Sequence, residues 1–119
     1  MREILFKAKR RDNGEWVEGC YYTYKNAKLH VIKDNKGNVY IIDINTLSEY
    51  IGLTDKNGIK MFENDIVTVD DEDEIFLIEY VIASAEFTLS SKYLIFDFEN
   101  VCNIDCEVVG NGFDNPELL

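Results

Sequence analysis

The sequence predicts a mainly β protein of short strands and hairpins, with little helix. Three observations carry that prediction. Apolar and polar residues alternate with a period of two in several short runs, and no long run has an apolar stripe at helical spacing. Clusters of Asp, Asn and Gly punctuate the runs at regular intervals, as in sandwiches and small barrels. The 119 residues suffice for one domain, and 46% hydrophobic with 13% aromatic content supplies a core and argues against disorder. The expected organisation is a single domain, 1–119, with an N-terminal hairpin region over 1–45 packed on a barrel-like region over 46–113 and a tail at 114–119.

The elements follow in chain order. "ILFKAK" alternates through Ile4, Phe6 and Ala8, the signature of a half-buried strand. "RDNG" reads as a hairpin turn, with Asn13-Gly14 as a type I′ pair because both central positions need positive φ. "EWVEGCYYTY" resumes a strand with Trp16, Glu18 and Cys20 on one face and Val17, Gly19 and Tyr21 on the other. "KLHVIK" and "NVYIIDI" flank "DNKG", a second turn with Gly37 at its left-handed position. Residues 45–52 suit either of two states. Thr46 to Glu49 fits a capping box with Gly52 as helix C-cap, while the spacing of Leu47, Ile51 and Leu53 favours an irregular strand. "TDKNG" is a third turn, and "IVTV", "IFLIEYVI", "AEFTL", "YLIFDF" and "CEVVG" complete about nine segments.

Charge and motifs narrow the function classes. Net charge is −11, divided into +4 over residues 1–36 and −15 over 37–119. So acidic a chain repels nucleic-acid phosphates, which disfavours general DNA or RNA binding. The basic start, Lys7, Lys9, Arg10 and Arg11, is a local exception and the candidate nucleic-acid patch of an alternative reading. No apolar run is long enough to span a bilayer and the start lacks a secretory h-region, so no membrane partner is expected and a cytoplasmic, reducing setting is. Cys20, Cys102 and Cys106 are an odd number without a disulfide framework and read as buried or half-buried free thiols. His30 stands alone among strand residues, so neither a zinc site nor a nucleophile–base pair is expected.

The aspartate-rich turn at 53–64 fails as a calcium loop. With Gly58 at the sixth position, apolar Leu53 falls first and Asn64 takes the place of the bidentate carboxylate. Hairpin turns explain all three clusters, since Asp and Asn cap their own backbone. The run Asp70, Asp71, Glu72, Asp73, Glu74 reads as a solvated loop, with a weak divalent-cation site or a contact surface for a basic partner as the alternatives. Tyr21, Tyr22 and Tyr24 occupy both faces of one strand, which places at least one outside the core as a candidate interface residue. No catalytic residue, metal site or cofactor is predicted.

Three stretches resemble one family. "YIGLTDKNGIKMFENDIVTVD" resembles the Y-T-G-L-x-D-x-N-G…E-G-D-I-V block of the YopX family of bacteriophage and prophage proteins. "EVVGNGFDNPELL" is similar to its C-terminal signature, V-I-G-N followed by N-P-E-L-L, and "MREILFKA" to its R-x-I-x-F-R-A start. The chain departs at Ile51 for threonine, at Asn64 for glycine, and at Lys9, where a tryptophan commonly follows the alanine. The resemblance implies a phage-encoded accessory protein of a bacterial cytoplasm, with no catalytic residues to carry over. Within the block, "MFENDIV" looks like the strand entry of small SH3-like barrels, with Asp65 capping the preceding turn and Ile66 and Val69 pointing inward. The C-terminal part is accordingly expected to form a strongly bent sheet or SH3-like partial barrel. These readings converge on a non-enzymatic protein-binding module that self-associates and meets a host or phage protein.

Overall fold

The computed structural model describes residues 3–26, 28–98 and 101–119. It is mainly β, with two antiparallel sheets, and the only helical pieces among the described residues are three-residue 3₁₀ turns. The chain forms two compact units, one ending at Tyr50 and one beginning at Ile51.

In the first unit, β1 (Phe6–Lys9), β2 (Trp16–Tyr24), β3 (Leu29–Lys33) and β4 (Val39–Ile41) pair in sequence, and the start of β5 (Ser48–Thr54) adds to the other edge of β1. The sheet then closes on itself. Arg10 bridges Ile42, the Arg11 N–H donates to the Ile41 carbonyl at 3.0 Å, and the Asp43 N–H to the Lys9 carbonyl at 2.9 Å. This curl encloses Ala8, Ile32 and Ile42, ringed by Phe6, Val17, Tyr21 and Leu47. Val17, Gly19 and Tyr21 share one face, as the alternation groups them, and that face is the inward one. Gly19 is required there, because a Cβ would lie 2.0 Å from the Lys33 carbonyl oxygen.

The second unit holds the remainder of β5, β6 (Lys60–Phe62), and a five-stranded antiparallel sheet. That sheet runs β10 (Ile95–Asp97), β9 (Glu86–Ser90), β8 (Ile75–Val81), β7 (Asp65–Val69), β11 (Cys106–Asn111). A register shift between Val108 and Gly110 marks a bulge, a device that bends a strand. Met61, Val67, Val69, Phe76, Ile78, Leu89 and Cys106 form the core. Ile66 is also fully buried but, being adjacent to Val67, lies on the opposite face from Val69.

The "DNKG" and "TDKNG" turns share one geometry. Each aspartate N–H donates to the carbonyl four residues on, its carbonyl accepts from the glycine, and its carboxylate caps the N–H groups two and four residues ahead. The "RDNG" turn differs from the type I′ expectation. Its aspartate is one position closer to the glycine, Asn13 caps only Glu15, and Gly14 alone has positive φ in a loop of Arg11 to Gly14. At 45–52 the strand alternative holds from Ser48 onward, and the capping box does not form. Asp43 caps a 3₁₀ turn over Ile44–Thr46, while the Thr46 hydroxyl accepts from the Lys9 N–H and donates to the Asp43 carbonyl. Gly52, at φ 91°, is the irregularity within β5.

Candidate functional site

The predicted site residues separate into four groups. Tyr21 turns inward, stacks on His30 and bonds the His30 Nδ1 through its hydroxyl at 2.7 Å. Tyr22 and Tyr24 take the opposite parity and stay in solvent, 39% and 54% exposed. Register aligns Tyr22 with Val31 and Ile41 in one cross-strand row. Tyr24 opposes Leu29 beside it, and Cys20, Lys33 and Val39 form the row on the other side. With Val39 and Ile41 at 52% and 45% exposure, the outer face of β2–β4 is an apolar surface with a tyrosine edge.

The acidic run forms the β7–β8 loop in the second unit. Asp70, Asp71, Glu72 and Asp73 are exposed, Asp71 has φ 67°, and Glu74 is half-buried and accepts from the Ser91 hydroxyl. Asp70 is ion-paired with Lys56, which leaves Asp71, Glu72 and Asp73 as the outward charges. Among the described residues no group of three or more His, Cys, Asp or Glu side chains is arranged to hold a metal ion.

The basic start does not form one patch. Lys7 and Lys9 lie over the Trp16 ring at 4.9 and 5.5 Å, a cation–π pairing on the outer face of β1–β2. Arg10 sits over Tyr40 at 4.9 Å and makes a two-pronged contact with Asp12, at 2.7 and 3.0 Å. Lys9, Arg10 and Arg11 also line a cleft at the seam where β4 closes on β1, joined by Lys28, His30, Ile42, Asp43 and Ile44. Lys28 and His30 were not in the predicted patch, because only the closure of the sheet brings them to it.

The cysteines divide. Cys106 is buried, and burial first, then the neighbouring Asp105 charge, pushes its thiol up to about 11, which removes it as a nucleophile at neutral pH. Cys20 and Cys102 are exposed, contrary to the buried or half-buried expectation: Cys20 takes the outward parity of β2, and Cys102 lies outside any strand, ahead of the 3₁₀ turn Asn103–Asp105.

The residues of the recognised block perform structural work. Asp55 is buried; its carboxylate accepts from Asn57 and Ile59 and also from Val108 of β11, each at 2.9 Å. Burial alone would raise its pKa, but those three backbone N–H groups outweigh it and hold the carboxyl below the ordinary range. Asp65, also buried, caps the Phe62 N–H at 2.9 Å as expected, and Asn64 sits at φ 70°, a conformation that explains glycine there in the family pattern. In the tail, Asn111 and Asn115 clasp each other: the Asn115 N–H donates to the Asn111 carbonyl and its side-chain oxygen accepts from the Asn111 N–H. Gly110 makes room, since a Cβ there would meet the Asn115 side chain at 2.5 Å.

Fold and surfaces thus define a small two-sheet β protein whose recognised sequence blocks build turns and the Asn111–Asn115 clasp. The model of the family described as YopX protein matches residues 5–119, and the chain belongs to the YopX family. Comparison with curated proteins yields no match. No helix of the described residues is long and apolar enough to cross a membrane.

Proposed function

We propose that this chain is a phage-encoded accessory protein of the bacterial cytoplasm that acts without catalysis, by binding a host or phage protein. The observation that carries the reading is the outer face of β2–β4, where Tyr22, Tyr24, Val39 and Ile41 lie exposed side by side. Exposed aromatic anchors beside aliphatic side chains are what protein interfaces bury. The partner is a protein with an apolar patch on a basic surface, because a net charge of −11 and the outward acids of the β7–β8 loop steer a cationic protein and repel an acidic one. That field also acts against self-association, which remains the competing occupant of the face.

The test compares capture by the wild type with capture by Tyr22→Ala/Tyr24→Ala and by Asp71→Asn/Glu72→Gln/Asp73→Asn, from nuclease-treated host lysate. A single partner lost with the tyrosines and weakened by neutralising the loop supports the reading. Capture unaffected by the tyrosine changes sinks it. A dimer in analytical ultracentrifugation that the tyrosine changes dissociate assigns the face to a second copy instead. The alternative, a nucleic-acid factor using Lys7, Lys9, Arg10 and Arg11, has the basic cleft in its support.

A further inference from the structure

The cleft at the seam of the first unit concentrates positive charge in an otherwise acidic chain. Its volume is about 500 Å³, within the range of small-molecule sites. Three elements build it: the end of β1 with Lys9, Arg10 and Arg11, the start of β3 with Lys28 and His30, and the residues after β4, Ile42 to Ile44. The backbone bonds that close the sheet fix these pieces relative to one another. Arg10 is committed to Asp12, but among the described residues no carboxylate engages the Arg11 or Lys28 side chain. Tyr21 occupies the Nδ1 of His30, which leaves Nε2 as the ring nitrogen for a ligand.

We propose that this cleft binds a small phosphorylated ligand of the nucleotide class. Arg11 and Lys28 hold the phosphate, with His30 as a third donor, because guanidinium and ammonium groups not already paired are the strongest partners for phosphoryl oxygens. The exposed Ile44 offers the apolar contact for a base or sugar, while Ile42 behind it stays buried in the core. Asp43 is the one carboxylate in the lining; it opposes bare phosphate and accepts from the hydroxyl groups of a ribose. A strand of nucleic acid fits less well. Repulsion from a chain of net charge −11 grows with every phosphate, whereas a mononucleotide brings only one such group to this cleft. This site is independent of the tyrosine face, so either reading survives the failure of the other.

The test is a titration of the ¹⁵N-labelled chain with adenosine 5′-monophosphate, inorganic phosphate, adenosine and a short oligothymidylate, followed by amide chemical shifts. The monophosphate is expected to shift Arg11, His30 and Asp43 and to bind more tightly than phosphate or adenosine alone. Arg11→Gln/Lys28→Gln should weaken it at least about tenfold, the scale of losing charge-assisted hydrogen bonds, while Lys36→Gln in the second turn leaves it unchanged. Absence of localised shifts at about 10 mM monophosphate, an affinity below any specific site, overturns the proposal. So does binding that the double variant leaves intact, and so does tighter binding of the oligonucleotide, which assigns the cleft to a nucleic-acid strand.

Discussion

Asp55 does two jobs with one carboxylate: it caps its own turn and holds Val108, 53 positions further along the chain. The first job is legible in "TDKNG", since Asp before a left-handed glycine caps the turn in the same way at Asp34. The second depends on β11 arriving alongside and has no local signature. Asp55→Ala is expected to destabilise the protein by about 3 kcal/mol, with Asp55→Asn milder because it keeps one acceptor oxygen, as urea unfolding at neutral pH would show. Its lowered pKa also fixes a sign. Stability from this group is complete above the unfolded carboxyl value of about 3.9 and is lost as pH falls through the folded value. The gap between wild type and Asp55→Asn should therefore shrink below pH ~4. Thr88 is the opposite case, a buried hydroxyl on β9 without a hydrogen-bond partner among the described residues. Thr88→Val removes an uncompensated group of about 1 kcal/mol and should raise Tm by about 3 °C; a fall in Tm would mean that the hydroxyl is bonded after all.

Strands were the most legible elements, because alternation specifies parity residue by residue. It does not say which parity faces inward. Between Tyr21 and its neighbours Tyr22 and Tyr24, that choice follows from Gly19, whose close approach to Lys33 seats β2 against β3. Gly19→Ala should cost about 2 kcal/mol or more through overpacking against backbone. Gly14→Ala, in open space but at φ 73°, should cost about 1 kcal/mol through conformation alone. Equal losses in thermal melts would contradict this distinction. The Asn13-Gly14 dipeptide located its hairpin but not its turn type, because loop length rather than dipeptide identity sets that geometry. In the tail, the family likeness marked the right residues without giving the reason for them. Asn115→Ala should open the clasp on Asn111 and speed amide exchange from Asn111 onward, with little change in exchange of β7 or β8.

For the whole molecule, charge is the property sequence reports most directly and topology the one it reports least. The division into +4 and −15 follows from counting, whereas the cleft exists only because Ile42 returns to Arg10 and brings Lys28 and His30 with it. No local pattern encodes that closure, so the predicted patch of Lys7, Lys9, Arg10 and Arg11 captured three of its residues and included one that belongs elsewhere, on Trp16. An excess of eleven negative charges makes self-repulsion the dominant long-range term. Raising sodium chloride from about 10 mM to about 500 mM, which shortens the Debye length severalfold, should raise Tm. A decrease would show that attractive pairs such as Lys56–Asp70 outweigh repulsion.

The unequal cysteines equip the chain as its own spectroscopic reporter. With Cys106 buried and its thiol at about 11, a maleimide dye or spin label at neutral pH would attach at Cys20 and Cys102, one in each compact unit. The pair forms a ruler between the units without any introduced residue. Because Cys20 lies in the row beside Tyr22, the same label would dim, brighten or stiffen as a partner settles on that face.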